Sequence, residues 1–292
     1  MLLTAVVWGF AFVAQQKGLD DMGAWAFNMS RFLLGSVVLI PVIAVLDLFK
    51  GKPLSLWGNL DRAGRYNLLM GGMCCGFFLA MSSALQQIGL MYTTVGKAGF
   101  LTALYIVLVP IAGMFLGRRS NWLMLLAVPL ALLGAWLLCF KGGFDTVNKG
   151  DVLAALCAIG FTCHILTIDH FAPRTDCVRM ASFQFFIAGC ICGIVTWLVK
   201  EPFTWTIVQS ALLPILYCGI LSSGVGYTCQ IVGQRDVHPV IASLLMSLES
   251  VFATIGGALF FHDRMTTRET LGCIVLFLGV ILAQLPFPKR NG

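Results

Sequence analysis

Long apolar segments separated by short polar stretches follow one another along almost the whole chain. A helix needs about 20 residues of this kind to cross a bilayer, and we predict ten such spans. Their predicted bounds are 2–18, 24–46, 67–90, 94–116, 121–140, 151–169, 178–199, 206–230, 239–261 and 267–286. The pattern therefore predicts an all-α polytopic membrane protein with ten transmembrane helices.

A polar stretch rich in glycine and charge, residues 141–150, divides the spans into two groups of five. Such a stretch is typical of a loop, and we expect a hinge loop between a first repeat, residues 1–140, and a second repeat, residues 151–292. Because each group holds an odd number of spans, the second repeat would enter the membrane from the opposite face. Residues also match in order at an offset of 144, which pairs Tyr105 with Glu249. These features predict a 5+5 inverted repeat, an arrangement typical of secondary transporters.

The composition agrees with a lipid environment, because only 11% of the residues are charged against about 25% in soluble domains. The net charge of +6 resides in short loops, so it indicates orientation and not a nucleic-acid partner. Lysine and arginine are more frequent in the loops on the side of the membrane where the amino terminus lies. The positive-inside rule therefore predicts that both termini are cytoplasmic. No basic residue precedes the first apolar segment, so we expect a span there and not a signal peptide.

A charged side chain within a span is costly unless it is paired or hydrated, and such residues are usually functional. Glu249 is the deepest, near the middle of the ninth predicted span, and Tyr105 lies at the equivalent depth in the fourth. Two polar residues from equivalent helices are expected to converge near the pseudo-two-fold axis, where substrate or coupling ions bind. The alternative is a protonated Glu249 that only bonds a neighbouring helix.

Four further polar residues within or at the ends of spans are candidates for the same cavity. Arg31 and Lys97 approach from the predicted outer side, where each can attract an anionic group, pair with Glu249 or, for Lys97, extend to the interface. His164 can relay protons or simply join two helices. Gln87 can bind a zwitterion or bond helix to helix.

Sequence signatures of catalysis are absent, as are metal-ligand spacings and phosphate-binding loops. The 11 cysteines fall mainly inside apolar runs, where free thiols act as small apolar filler. We therefore predict a protein that is not an enzyme and has no metal or cofactor. An intramembrane enzyme acting on a lipid or isoprenoid is the alternative, with Glu249 and His164 as its candidate groups.

Several short stretches, in this order and spacing, resemble the EamA-type transporters of the drug/metabolite transporter superfamily. They are Trp8-Gly9, Arg31-Phe32, Ala84–Gly89 running into Thr93–Ala98, Ser243–Glu249 and Gly272–Gly279. The resemblance implies ten spans, alternating access and a central cavity that Trp8 would help to line. The family usually has proline after the glutamate of span nine, whereas this chain has Ser250, which weakens the expected kink there.

Together these observations predict a secondary transporter in a bacterial inner membrane, more specifically an exporter of small metabolites such as amino acids or drugs. Its predicted partners are a small-molecule substrate, protons as the coupling ion and the lipid bilayer. The sequence leaves open whether the protein is a monomer or a homodimer.

Overall fold

The computed structural model describes residues 1–51, 55–117, 122–139, 148–261 and 266–284, and all regular secondary structure in these ranges is helical. The α-helices are α1 Leu2–Gly18, α2 Ala24–Phe49, α3 Arg62–Leu90, α4 Val95–Thr102, α5 Tyr105–Phe115, α6 Trp122–Cys139, α7 Lys149–Phe171, α8 Cys177–Leu198, α9 Trp205–Ser210, α10 Leu212–Leu216, α11 Thr228–Gln234, α12 Pro239–Met246, α13 Glu249–Phe261 and α14 Thr267–Gln284. A short 3₁₀ turn, Ala172–Arg174, follows α7, and a π-helix, Tyr217–Tyr227, joins α10 to α11.

Seven helical segments in the described ranges are long and apolar enough to cross a membrane. They are Ala24–Phe49, Arg62–Leu90, Val95–Phe115, Lys149–Arg174, Cys177–Leu198, Leu212–Gln234 and Pro239–Phe260. Many of their large apolar side chains, such as Val37, Phe77 and Ile194, point away from the protein interior. These findings confirm a polytopic, all-helical membrane protein, whereas the count of ten spans stays a prediction.

The predicted hinge coincides only in part with the described residues, because residues 141–147 lie outside them. Asn148 and Asp151 form a capping box, in which each side chain accepts a hydrogen bond from the backbone N–H of the other residue. This motif starts a helix, and α7 accordingly begins at Lys149, within the segment predicted as loop. The predicted division into two repeats stays a prediction.

Helices α2 and α8 run antiparallel and are held together at both ends. At one end the Arg179 guanidinium contacts the Asp47 carboxylate. At the other end the Glu201 carboxylate accepts hydrogen bonds from the backbone N–H groups of Trp25 and Ala26, the latter at 2.8 Å. A carboxylate at a helix N-terminus satisfies free N–H groups and favours the helix dipole. The two helices therefore form a clamped pair.

Helix α3 contacts the segment before α8 near its own start and the first residues of α7 near its own end. Near its start, the Gly64 carbonyl accepts a hydrogen bond from Thr175, just before α8. At its other end, a Cβ on Gly89 would lie 3.0 Å from the Gly150 carbonyl oxygen. The Asp47–Arg179 contact therefore lies where α3 begins, and the start of α7 lies where α3 ends.

Helices α6 and α14 cross in backbone contact at two glycines. A Cβ on Gly134 would lie 2.3 Å from the Leu276 nitrogen, and a Cβ on Gly279 would lie 2.9 Å from the Ala131 nitrogen. An offset of 145 residues relates Gly134 to Gly279 and Ala131 to Leu276. The glycine of each helix thus contacts the equivalent position of the other helix, as expected for two elements related by a pseudo-two-fold axis.

Two predicted spans, 94–116 and 239–261, each contain a break, so that the first consists of α4 and α5 and the second of α12 and α13. The first breaks at Ala103 and Leu104 and the second at Ser247 and Leu248. The two breaks are again 144 residues apart. At both places the carbonyl oxygens of the two break residues accept hydrogen bonds from the backbone N–H groups three residues later, which tightens the chain there.

The second break occurs although Ser250 replaces the proline that the family usually has. The Ser247 hydroxyl donates to the Leu244 carbonyl oxygen at 2.7 Å, and the Ser243 hydroxyl donates to the Val240 carbonyl oxygen at 2.9 Å. Serine hydroxyls that bond to preceding carbonyls compete with the helix for those acceptors. This competition provides a physical reason for a break without proline.

The eighth predicted span, 206–230, is also irregular. After the short helices α9 and α10, its centre is the π-helix of 11 residues. Two side chains of α1 bond to its carbonyl oxygens: the Trp8 indole N–H to Ser222 at 3.2 Å and the Thr4 hydroxyl to Gly226 at 3.1 Å. Segments of π-helix are rare and often lie at functional sites.

Candidate functional site

The two broken helices meet at their breaks, through a direct hydrogen bond. Tyr105 is the first residue of α5 and Glu249 is the first residue of α13. The Tyr105 hydroxyl donates to Glu249 Oε1 at 3.0 Å, and both side chains are buried. The predicted convergence of these two residues from equivalent positions is therefore present.

The Tyr105–Glu249 pair borders a central cavity of about 30 Å³. That volume matches about one water molecule, whereas sites for small organic ligands span about 300–1,000 Å³. The cavity is thus closed to a metabolite in this conformation. Its lining residues are Trp8, Ala11, Phe12, Gln15, Arg31, Gln86, Thr102, Tyr105, Phe161, His164, Ile165, Ser222, Tyr227, Gln230, Met246 and Glu249.

Helix α1 reaches this cavity because its backbone packs directly against the start of α13, beside the break between α12 and α13. A Cβ on Gly9 would lie 2.3 Å from the Cβ of Phe252 and 2.8 Å from the Glu249 carbonyl oxygen. Only glycine permits so close an approach. The neighbouring Trp8 ring then lies 4.4 Å, centroid to centroid, from the Tyr227 ring on the cavity wall.

Arg31 lines the same cavity and is only 1% exposed. Its Nε donates to Asn28 Oδ1 at 2.8 Å, and its guanidinium lies 4.5 Å from the centre of the Phe32 ring. Its Nη2 has no hydrogen-bond partner in the described part of the chain. Of the two roles considered for Arg31, pairing with Glu249 does not occur in this conformation, since no ion pair joins them among the described residues.

His164 also lines the cavity and is fully buried. Its Nε2 lies 3.0 Å from Gln184 Oε1, while its Nδ1 has no partner among the described residues. When Nε2 carries the proton and donates to Gln184, Nδ1 is an acceptor. The histidine thus joins α7 to α8, which is one of the two roles expected from the sequence. It also lines the cavity and keeps one ring nitrogen without a partner among the described residues.

The other two predicted site residues, Gln87 and Lys97, do not line the cavity. Gln87 is buried and donates through Nε2 to the Gln15 carbonyl oxygen at 3.1 Å. Lys97 Nζ lies 3.5 Å from Asp151 Oδ2, at the end of the protein where α3 ends. A role for either residue in binding substrate stays a prediction.

Sequence reasoning missed Gln15 and Tyr227, which both line the cavity. The side-chain oxygen of Gln15 has no hydrogen-bond partner among the described residues, and the same holds for Gln230. A signal existed for Gln15, because a glutamine within an apolar span is costly unless it is bonded. Tyr227 gave none, since nothing in the sequence indicates that a π-helix turns it toward α1.

Groups of three or more His, Cys, Asp or Glu side chains that could hold a metal ion are absent from the described ranges. The cavity instead offers one cation, one carboxyl group and several neutral donors and acceptors. Such a lining can bind a small polar solute and can take up or release a proton at Glu249.

Comparison with known families gives one match that covers nearly the whole chain. The family model described as the EamA-like transporter family matches twice, over residues 1–140 and 148–285. This result confirms the resemblance recognised in the sequence.

Individual relatives are also similar over most of their length. An uncharacterized transporter of Archaeoglobus fulgidus is 27% identical over 98% of this chain and 84% of its own length. A probable terminal-alkyne amino-acid exporter of Streptantibioticus cattleyicolor is 27% identical over 93% of both chains. A solved crystal structure has a TM-score of 0.70 with 17% identity over 96% of both chains, which shows a common fold.

Proposed function

Because the chain belongs to the EamA-like transporter family, we propose that it is a secondary active exporter of small organic metabolites that works by alternating access. The observation that carries this proposal is the small central cavity, where Arg31 of α2 lies together with the Tyr105–Glu249 pair at the breaks of two helices. Broken helices at mid-membrane are a recurrent way to build transporter sites. The relative named as an amino-acid exporter supports amino acids as one substrate group.

The two halves of the protein are proposed to form a 5+5 inverted repeat with ten spans. The equivalent helix breaks and the reciprocal contacts of Gly134 and Gly279 support this arrangement. The distribution of lysine and arginine supports two cytoplasmic termini, and a bacterial inner membrane is the proposed location. No contact bears on the homodimer, which stays a hypothesis.

Glu249 is the proposed site of proton coupling. Burial disfavours the charged carboxylate, whereas a hydrogen bond from Tyr105 favours it. A cavity that opens alternately to each side would change the hydration of this carboxyl group and hence its tendency to hold a proton. Uptake of a proton from one side and release to the other would then drive the substrate in the opposite direction.

The alternative of an intramembrane enzyme has less support. Glu249 and His164 both line the cavity, but the family whose model matches the chain is one of transporters.

The decisive experiment uses the purified protein in liposomes loaded with a panel of labelled metabolites, with and without a pH gradient. We expect efflux of an unmodified solute that a gradient accelerates, and no efflux from protein-free liposomes. Chemical conversion of a solute or lipid without movement across the bilayer would support the enzyme instead.

A further inference from the structure

The cavity holds two groups of opposite charge that do not pair with each other. Arg31 and Glu249 both line it, yet the described residues contain no ion pair for either. Each is held by its own partner: Asn28 and the Phe32 ring hold the guanidinium, and Tyr105 holds the carboxyl group. If the two served only to join helices, pairing would be the cheaper arrangement, because a lone buried charge is strongly unfavourable.

Arg31 also retains an unused donor. Its Nη2 is buried and has no hydrogen-bond partner among the described residues. Native interiors leave few such atoms, and an unsatisfied charged donor is the most costly kind. The feature therefore indicates that a group absent from this conformation completes the interaction.

A water molecule cannot supply the negative charge that Arg31 lacks. The cavity has room for about one water, which can accept a hydrogen bond but cannot balance a full positive charge. Arg31 is the sole lysine or arginine among the described residues that line the cavity. One guanidinium matches a single negative charge, such as a carboxylate, better than it matches a doubly charged phosphate.

We propose that Arg31 is the residue that selects the substrate, by donating through Nη2 to a carboxylate of the transported solute. This proposal rests on the proposed function and narrows its substrates to solutes with a carboxylate, with or without an amino group. Amines, neutral drugs and phosphorylated sugars are then excluded. Glu249 is left for the proton, which keeps recognition and coupling on separate side chains.

The test measures equilibrium binding of four matched sets of compounds to the full-length protein in nanodiscs. The sets are the twenty standard amino acids, their 2-oxo acids, their methyl esters and a series of sugar phosphates. We expect binding only among the first two sets, with the methyl ester of a bound acid about 10- to 100-fold weaker, the loss typical of one charged hydrogen bond.

Arg31→Gln should weaken binding of the acid to the affinity of its ester, so that the protein no longer distinguishes the two compounds. The matched control is Arg179→Gln, at a buried arginine that is paired with Asp47 and lies away from the cavity, where the distinction between acid and ester should persist. Thermal melting without ligand should separate the two variants further. Arg31→Gln should melt at or above the wild-type temperature, because it removes an unpaired charge, whereas Arg179→Gln should melt lower.

Discrimination between acid and ester that persists in Arg31→Gln would overturn the proposal, as would a wild-type protein that binds amines or phosphates in preference to acids. If Arg31→Gln does not fold, Arg31→Lys provides the same comparison, with weakened binding of the acid expected. Flux in liposomes of a solute without a carboxylate would sink this inference and leave the proposed function intact. Binding of acids that depends on Arg31, without any flux, would support this inference and contradict the proposed function.

Discussion

Glu249 and Tyr105 each occupy the first helical position after a break, so their side chains meet where two helices change direction. The sequence predicted this meeting from depth and internal repetition alone, and the hydrogen bond of 3.0 Å agrees with it. Pairing of Arg31 with Glu249, one of the two roles that the sequence left open, does not occur, because short-range contacts within α2, to Asn28 and Phe32, hold the guanidinium. Depth in a span can be derived from sequence, whereas the direction of a long side chain depends on neighbours that cannot.

Replacing Glu249 by glutamine should leave the protein folded but abolish acceleration of flux by a pH gradient. Glutamine can still accept the Tyr105 hydrogen bond, but it cannot exchange a proton in the physiological range. The measurement is efflux from liposomes at matched protein content, with Glu201→Gln as a control. Glu201 caps α2 away from the cavity, so that variant should keep the response to the gradient. Wild-type flux and pH response in Glu249→Gln would remove this residue from the mechanism.

Gly9→Ala should destabilise the protein by about 1–3 kcal/mol, the range for overpacking. The added Cβ would meet backbone atoms of α13, among them the Ala253 nitrogen at 2.8 Å, and backbone cannot rotate aside. Gly96→Ala is the matched control, since a Cβ there has no atom within 4 Å and alanine favours a helix by up to about 1 kcal/mol. Thermal melting in detergent should therefore fall for the first variant and hold or rise for the second. Equal melting temperatures would mean that α1 does not pack this closely.

At the scale of whole helices, apolar length located the membrane segments but could not reveal their irregularities. A hydrophobic run looks the same whether it is one helix or two, so the breaks at residues 103–104 and 247–248 were missed. The serine hydroxyls that accompany the second break lie within its apolar run, and only their backbone partners show what they do. The π-helix of span eight cannot be predicted from the sequence either, because its hydrogen bonds with Thr4 and Trp8 join residues more than 200 positions apart in the chain.

The α2–α8 pair offers a prediction at this scale, through the buried contact of Asp47 with Arg179. Removing one partner of a buried pair typically costs about 3–5 kcal/mol, and removal of Asp47 should cost less, because Arg179 keeps Asp176 as a second partner at 3.2 Å. We expect Asp47→Ala to lower the melting temperature and Asp47→Ala/Arg179→Met to recover part of the loss. A double mutant as unstable as the sum of its single mutants would show that the two side chains do not interact.

For the molecule as a whole, the orientation in the membrane is the prediction that contacts within the chain cannot test. The charge distribution predicts that both termini are cytoplasmic, and the predicted odd number of spans in each half would then place the hinge outside. A reporter fused after Lys50 should therefore report the cytoplasm, and a reporter within residues 141–147 the opposite side. Two reporters on the same side would show that the first half holds an even number of spans.

With this orientation, Lys97 and Asp151 lie on the outer side of the cavity and join α4 to the start of α7. The Asp151 carboxylate also accepts hydrogen bonds from the Thr93 hydroxyl and the Asn148 backbone N–H, so with Lys97 it binds three polar groups at this end. In alternating access such a contact must loosen when the cavity opens outward. Asp151→Asn should therefore shift the protein toward the outward-open state by about fivefold, for a loss of about 1 kcal/mol.

The shift can be read from the rate at which a membrane-impermeant maleimide, added outside, labels Ala11→Cys in a background without native cysteines. Ala11 lines the cavity and is buried in this closed conformation, so labelling requires outward opening. Asp20→Asn serves as the control, because Asp20 is an exposed aspartate on the same predicted face. We expect faster labelling with Asp151→Asn, no change with Asp20→Asn, and slower labelling of both when a transported substrate holds the cavity closed. Equal rates for the two variants would mean that the Lys97–Asp151 contact does not gate the cavity.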